Sequence, residues 1–127
     1  MKKMIVLLFL GVIGFNLTVA AQKAITSVHL FDIKNASLEI KYINSLKEIN
    51  AIIVQIGYPN NYYSFQKVKD ADTSKTYRAC TLGHWTSEEA YKLIHDNPKF
   101  KAWGAKQKDD SGVFIAGQLY RKMYSVN

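Results

Sequence analysis

Three histidines, His29, His84 and His95, carry most of the proton chemistry available to this 127-residue chain. Imidazole titrates nearest to neutral pH, so each is a candidate base, acid or metal ligand. Their separations of 55 and 11 residues match no metal-ligand spacing, and no His-x-x-x-His, Glu-x-x-His or cysteine pair accompanies them. No metal is therefore expected. Cys80 is the single thiol; it has no activating neighbour in sequence, reads as a small buried apolar residue, and cannot form an intramolecular disulfide. Glycine-rich phosphate loops and nucleophile elbows are absent. His29, between Val28 and Leu30, is either a general base for an acidic phenol or a neutral histidine bonded across a sheet. His95 either points into a pocket or sits half-exposed at a helix C-terminus, where the helix dipole favours it. Trp85 either walls a pocket, stacking on a flat ligand, or anchors a helix to the sheet. Arg78, one of two arginines, would need an acidic partner if buried, with Asp32 and Glu39 as candidates.

The elements that must position these residues follow from periodicity. Strand patterns cover Ile25–Ile33, Tyr62–Val68, Thr76–Trp85 and Gln118–Val126. Alternation puts Tyr63 with Phe65, and Tyr77, Ala79, Thr81, Gly83 and Trp85 together opposite Arg78, Cys80, Leu82 and His84. His84 and Trp85 thus face opposite ways. In the last strand Leu119 and Met123 oppose Tyr120 and Tyr124. A helix is predicted over Ala36–Ile56 from the three-and-four spacing of Tyr42, Ile43, Leu46, Ile49, Ile53 and Ile56. Asn35 is its expected N-cap and Gly57-Tyr58-Pro59 its stop. A second helix opens on Thr86-Ser-Glu-Glu89, read as a capping box between Thr86 and Glu89, and breaks at Asn97-Pro98. Pro98 starts a further turn carrying Phe100 and Trp103. Residues Lys106–Gly112 are expected as loop, and Val113–Ala116 fits no single element. The order β-α-β-β-α-β predicts an α+β, ferredoxin-like fold: an antiparallel sheet with both helices on one face.

The run Trp85-Thr-Ser-Glu-Glu-Ala-Tyr-Lys-Leu-Ile-His95, followed by Asn97-Pro98-Lys-Phe100, resembles the dimeric α+β barrel superfamily, especially antibiotic-biosynthesis-monooxygenase-like domains. The resemblance implies a homodimer whose open sheet faces pack into a barrel, with a pocket between sheet and helices in each protomer. On that reading Tyr63, Phe65, Tyr77, Tyr120 and Tyr124 are surplus aromatic surface that a second copy buries. Trp85, His95 and Tyr63 become the candidate pocket lining, and His95 and His29 the candidate catalytic groups. Relatives of this kind include cofactor-free oxygenases of phenolic or quinol substrates, haem-binding and haem-degrading proteins, and plain ligand binders. The expected partner is a small, flat, apolar or aromatic ligand, with no cofactor required. Haem with His95 as axial ligand is the alternative. A third reading is a non-catalytic interaction or assembly module whose pocket its own side chains fill.

The N-terminus bears on location. Lys2-Lys3, the apolar run Met4–Phe15 and the small residues up to Ala21 form the three regions of a secretory signal. The apolar run is shorter than the roughly 20 residues of a membrane span, so no stable membrane anchor is expected. Cleavage after Ala21 would leave a secreted or periplasmic domain, Gln22–Asn127, of 106 residues. That cut lowers the net charge from +7 to +5, carried by 13 lysines and two arginines without a run of three. Nucleic-acid sites cluster their cations and favour arginine, so no nucleic-acid partner is expected.

Overall fold

The computed structural model describes residues 23–69 and 75–124, and the segment expected to be a signal peptide lies outside them. The element order is β1 (Ile25–Ile33), α1 (Ala36–Gln55), β2 (Tyr62–Lys67), β3 (Ala79–Trp85), α2 (Glu88–Asp96), α3 (Pro98–Phe114) and β4 (Ile115–Tyr124). The strands form one sheet in the order β2-β3-β1-β4, every pair antiparallel. This is the expected ferredoxin-like α+β topology.

Local chemistry sets both ends of α1. The Asn35 side chain accepts from the Leu38 N–H at 3.0 Å, satisfying a donor the helix cannot. At the other end Gly57 takes φ 97°, its N–H donates to Val54 O at 3.0 Å, and the Tyr58 N–H reaches Ile53 O at 3.1 Å. That left-handed reversal needs a residue without a Cβ. One stripe of the helix, Leu46, Ile49 and Ile53, joins Ile25, Trp85, Ile94 and Phe100 in the core.

Three boundaries differ from expectation. α2 is capped by Ser87, whose Oγ accepts from Ala90 N–H at 3.0 Å. Thr86 instead gives its N–H to Asn61 Oδ1 at 2.9 Å. β3 begins at Ala79 rather than Thr76 because Tyr77 adopts φ 54°. There the Asp32 carboxylate accepts the backbone N–H groups of Tyr77 and Arg78 at 3.0 and 2.9 Å. So Asp32 binds the Arg78 backbone, while Glu39 pairs with Lys67 at 2.9 Å. Finally, the expected loop Lys106–Gly112 is helical: α3 runs to Phe114 and passes directly into β4.

Burial alternates strictly along β3, with Ala79, Thr81, Gly83 and Trp85 buried and Cys80, Leu82 and His84 half-buried. The first set faces the helices. Register carries this face across the sheet through Tyr63 and Phe65 on β2, Ser27, His29 and Phe31 on β1, and Gln118, Tyr120 and Tyr124 on β4. The aromatics expected on the open face therefore point the other way: Tyr120 meets Tyr91 of α2, and Tyr124 donates to Glu88. Tyr77 stands outside the strands. The open face carries Val28, Leu30, Cys80, Leu82, Leu119 and Met123 instead. Along the free edge of β2, Asn50 of α1 donates to Tyr63 O at 2.8 Å and accepts from Tyr63 N–H at 2.7 Å. This clamp fixes Tyr63 against the helix.

Candidate functional site

Between the sheet and α2–α3 lies a pocket of about 430 Å³, within the range of small-molecule sites. β1 supplies Ser27 and His29, β2 supplies Tyr63, α2 gives Tyr91 and His95, α3 gives Phe100 and Trp103, and β4 adds Gln118 and Tyr120. The fold thus brings together His29 and His95, 66 residues apart in sequence, with Tyr63 between strand and helix. The pocket is an open space rather than one filled by its own side chains.

Trp85 does not line this pocket; it is the wall behind it. The indole is 2% exposed, and its ring meets Tyr63, Tyr91 and His95 edge-on at centroid distances of 5.1, 5.4 and 5.0 Å. Its Nε1–H donates to Ser27 Oγ at 3.1 Å, so a buried donor is satisfied. Gly83 makes room for it: a Cβ there would lie 2.6 Å from Trp85 Cζ2 and would also strike Ser27 Oγ. His84 is on the opposite face, stacked on Tyr62 at 4.5 Å and bonded to Ser64 Oγ at 2.9 Å.

The hydrogen bonds settle the protonation pattern of the pocket histidines. His95 Nδ1–H donates to the Tyr91 carbonyl at 2.7 Å, one helical turn back. A neutral ring then has a bare Nε2, which accepts from the Tyr63 hydroxyl at 3.2 Å. Burial lowers the His95 pKa and the Lys122 charge adds to this, against the Tyr91 carbonyl and Asp96, which raise it. His29 Nδ1 takes its hydrogen bond from the Gln118 amide, leaving the ring proton on Nε2. Its pKa is likewise lowered, first by burial and then by His95. Burial drives the Tyr63 hydroxyl well above its ordinary pKa, so Tyr63 stays protonated. At neutral pH the pocket thus holds two neutral imidazoles, one presenting a donor and one reached through a phenol.

Haem does not fit this arrangement. The Nε2 that an iron would take is closed by Tyr63, and the imidazole packs against Tyr91 at 4.0 Å and Phe100 at 4.5 Å. Among the described residues no group of three or more His, Cys, Asp or Glu side chains could hold a metal ion. Cys80 is half-buried on the open sheet face rather than in the core, and burial raises its pKa.

Sequence reasoning missed Tyr91, Tyr120, Gln118 and Trp103 as lining. Tyr91 was within reach, since it lies four residues before His95 and so on the same helix face. Tyr120 and Gln118 enter only through the pairing of β4 with β1, opposite His29 and Phe31. The Trp103 indole nitrogen is buried without a partner among the described residues.

No family model and no curated protein matches the sequence. Solved structures do match the fold. A dimeric ferredoxin-like protein of unknown function from Thermobifida fusca is 15% identical, with 82% of this chain and 92% of that one covered at a TM-score of 0.59. SnoaB, a cofactor-independent oxygenase from Streptomyces nogalater, is 13% identical over 83% of this chain and 95% of its own, TM-score 0.57. A DABB-family protein with a ferredoxin-like fold from Mesorhizobium loti is 14% identical over 84% of this chain and 100% of its own, TM-score 0.59. Identities this low speak to architecture alone, and the architecture is the expected one: a ferredoxin-like fold.

Proposed function

We propose that the pocket binds a flat hydroxylated aromatic molecule of the phenol or quinol class and that His95, through Tyr63, receives its hydroxyl proton. The observation that carries this is the Tyr63–His95 hydrogen bond in an uncharged, aromatic-walled pocket. A ligand hydroxyl donates to the Tyr63 oxygen as Tyr63 passes its own proton to Nε2 of His95. The His29 Nε2–H supplies a donor to the oxygen left behind. A bound phenolate is the species from which cofactor-independent oxygenation would start, and SnoaB is a cofactor-independent oxygenase. The working unit is a homodimer stacked through the open sheet face, where Leu82 and the half-exposed Met123 would be covered. The protein acts outside the cytoplasm after removal of residues 1–21.

Titration calorimetry with 2-naphthol tests the pocket, and oxygen uptake with 1,4-dihydroxynaphthalene tests turnover. Naphthol binding should weaken about fivefold in Tyr63→Phe, the worth of one neutral hydrogen bond, and quinol-dependent uptake should vanish in His95→Gln. Binding without any uptake would leave a ligand-binding protein and remove the enzyme. Light scattering should give twice the chain mass, reverting to one in Leu82→Lys. N-terminal sequencing of the exported protein should begin at Gln22.

A further inference from the structure

The nine residues lining the pocket include no aspartate, glutamate, lysine or arginine. A charge does stand at its rim. Lys122 pairs with Ser27 in the β1–β4 register, so its side chain rises on the helix-facing side of β4, as do those of Gln118 and Tyr120. Its Nζ lies 4.6 Å from the centroid of the Tyr91 ring, a pocket wall. Among the described residues no carboxylate lies within ion-pairing distance of it. The nearby acids are otherwise engaged: Asp96 pairs with Lys101 at 3.2 Å, and Glu88 accepts from the Tyr124 hydroxyl at 3.4 Å. An exposed ammonium resting on an aromatic face gains little from it, and an anion brought to the same place would gain it a partner. Beside Lys122 the Tyr91 and Tyr120 hydroxyls share a 3.2 Å hydrogen bond at the exposed end of the pocket. The opposite end is the buried Tyr63–His95 pair.

We infer that the pocket is polarised for a hydroxyaromatic acid, its carboxylate at the rim on Lys122 with the Tyr91–Tyr120 hydroxyls, its ring between the aromatic walls, and its hydroxyl at Tyr63. This rests on the reading of the pocket as a hydroxyaromatic site. Lys122 is then a specificity-determining residue that selects acids over neutral phenols. It acts by charge and not by shape, so its contribution is screened by salt.

Two probes that differ by one carboxylate separate this inference from the reading beneath it. Calorimetry at low ionic strength should show 6-hydroxy-2-naphthoate binding about fivefold more tightly than 2-naphthol, the upper range for a solvent-accessible ion pair. Lys122→Met keeps the alkyl stem and should abolish that preference while leaving the 2-naphthol affinity unchanged; Lys122→Arg should retain it. Equal affinity of the wild type for both probes, or a preference that survives Lys122→Met, would overturn the inference and leave the hydroxyaromatic pocket standing. Binding of neither probe would remove both.

Discussion

Replacing Gly83 by alanine adds one methyl group where the sheet, Trp85 and Ser27 already meet closely. The new Cβ would lie 2.6 and 2.8 Å from Cζ2 and Cε2 of Trp85, where carbon atoms normally rest about 3.5–4.0 Å apart. The indole must therefore retreat by about 1 Å, and it has nowhere to go: Tyr63, Tyr91 and His95 ring it at centroid distances of 5.0 to 5.4 Å. Overpacking of this kind costs about 1–3 kcal/mol. The same methyl strikes Ser27 Oγ and disrupts the buried Trp85–Ser27 hydrogen bond, worth about 1 kcal/mol more. Gly83→Ala should thus lose about 2–4 kcal/mol, measured by urea unfolding at fixed protein concentration. The thermal midpoint should fall by roughly 10–25 °C. The cycle with Trp85→Phe isolates the cause. Phenylalanine has no second ring to collide, so in that background Gly83→Ala should cost less than about 1 kcal/mol. A wild-type-like Gly83→Ala, or an equal penalty in both backgrounds, would refute the claim that Gly83 exists to seat Trp85.

Acid should destabilise the fold through the pocket histidines. Burial holds both folded-state pKa values below the ordinary 6.5, so the unfolded chain binds protons first as pH falls. Their contribution is complete above pH 6.5 and is lost as pH drops through the lower folded values; urea midpoints should show this, and the His29→Gln/His95→Gln double variant should flatten it. Ser87→Ala should cost about 1 kcal/mol as the loss of a helix cap, and Thr86→Ala clearly less, read from the same unfolding curves. Hemin titration should give no Soret band that depends on His95; one lost in His95→Ala would overturn the argument that Tyr63 closes Nε2.

The parts of this fold that were legible are those written in local chemistry. The apolar stripe of α1, its Asn35 cap and its Gly57 stop are each decided within a few residues. The alternation along β3 predicted which of His84 and Trp85 faces the helices only up to a choice of side. Misreadings arose where a distant partner intervened. Thr86 and Ser87 are both capping types, and Asn61 claims Thr86, leaving Ser87 to cap α2. Asp32 holds the backbone at Tyr77 and delays β3. The polar second half of α3 has no apolar stripe to betray it. The aromatics of β2 and β4 were legible as a surplus, but their side was not, since the choice of face follows from which side the helices cover. For the pocket, the family resemblance pointed to His29, His95 and Tyr63, with Trp85 behind them rather than lining it, while their meeting depends on β1, β2 and α2 converging.

The Asn50 clamp has a bearing on how copies of this chain can assemble. A sheet edge recruits another strand by offering free N–H and C=O groups, and at Tyr63 both are already taken by a helix side chain. The β2 edge is thereby blocked at Tyr63, which interrupts the run of free groups that a neighbouring strand would need there. Pairing through the flat of the sheet, as proposed above, leaves this clamp and both sheet edges untouched.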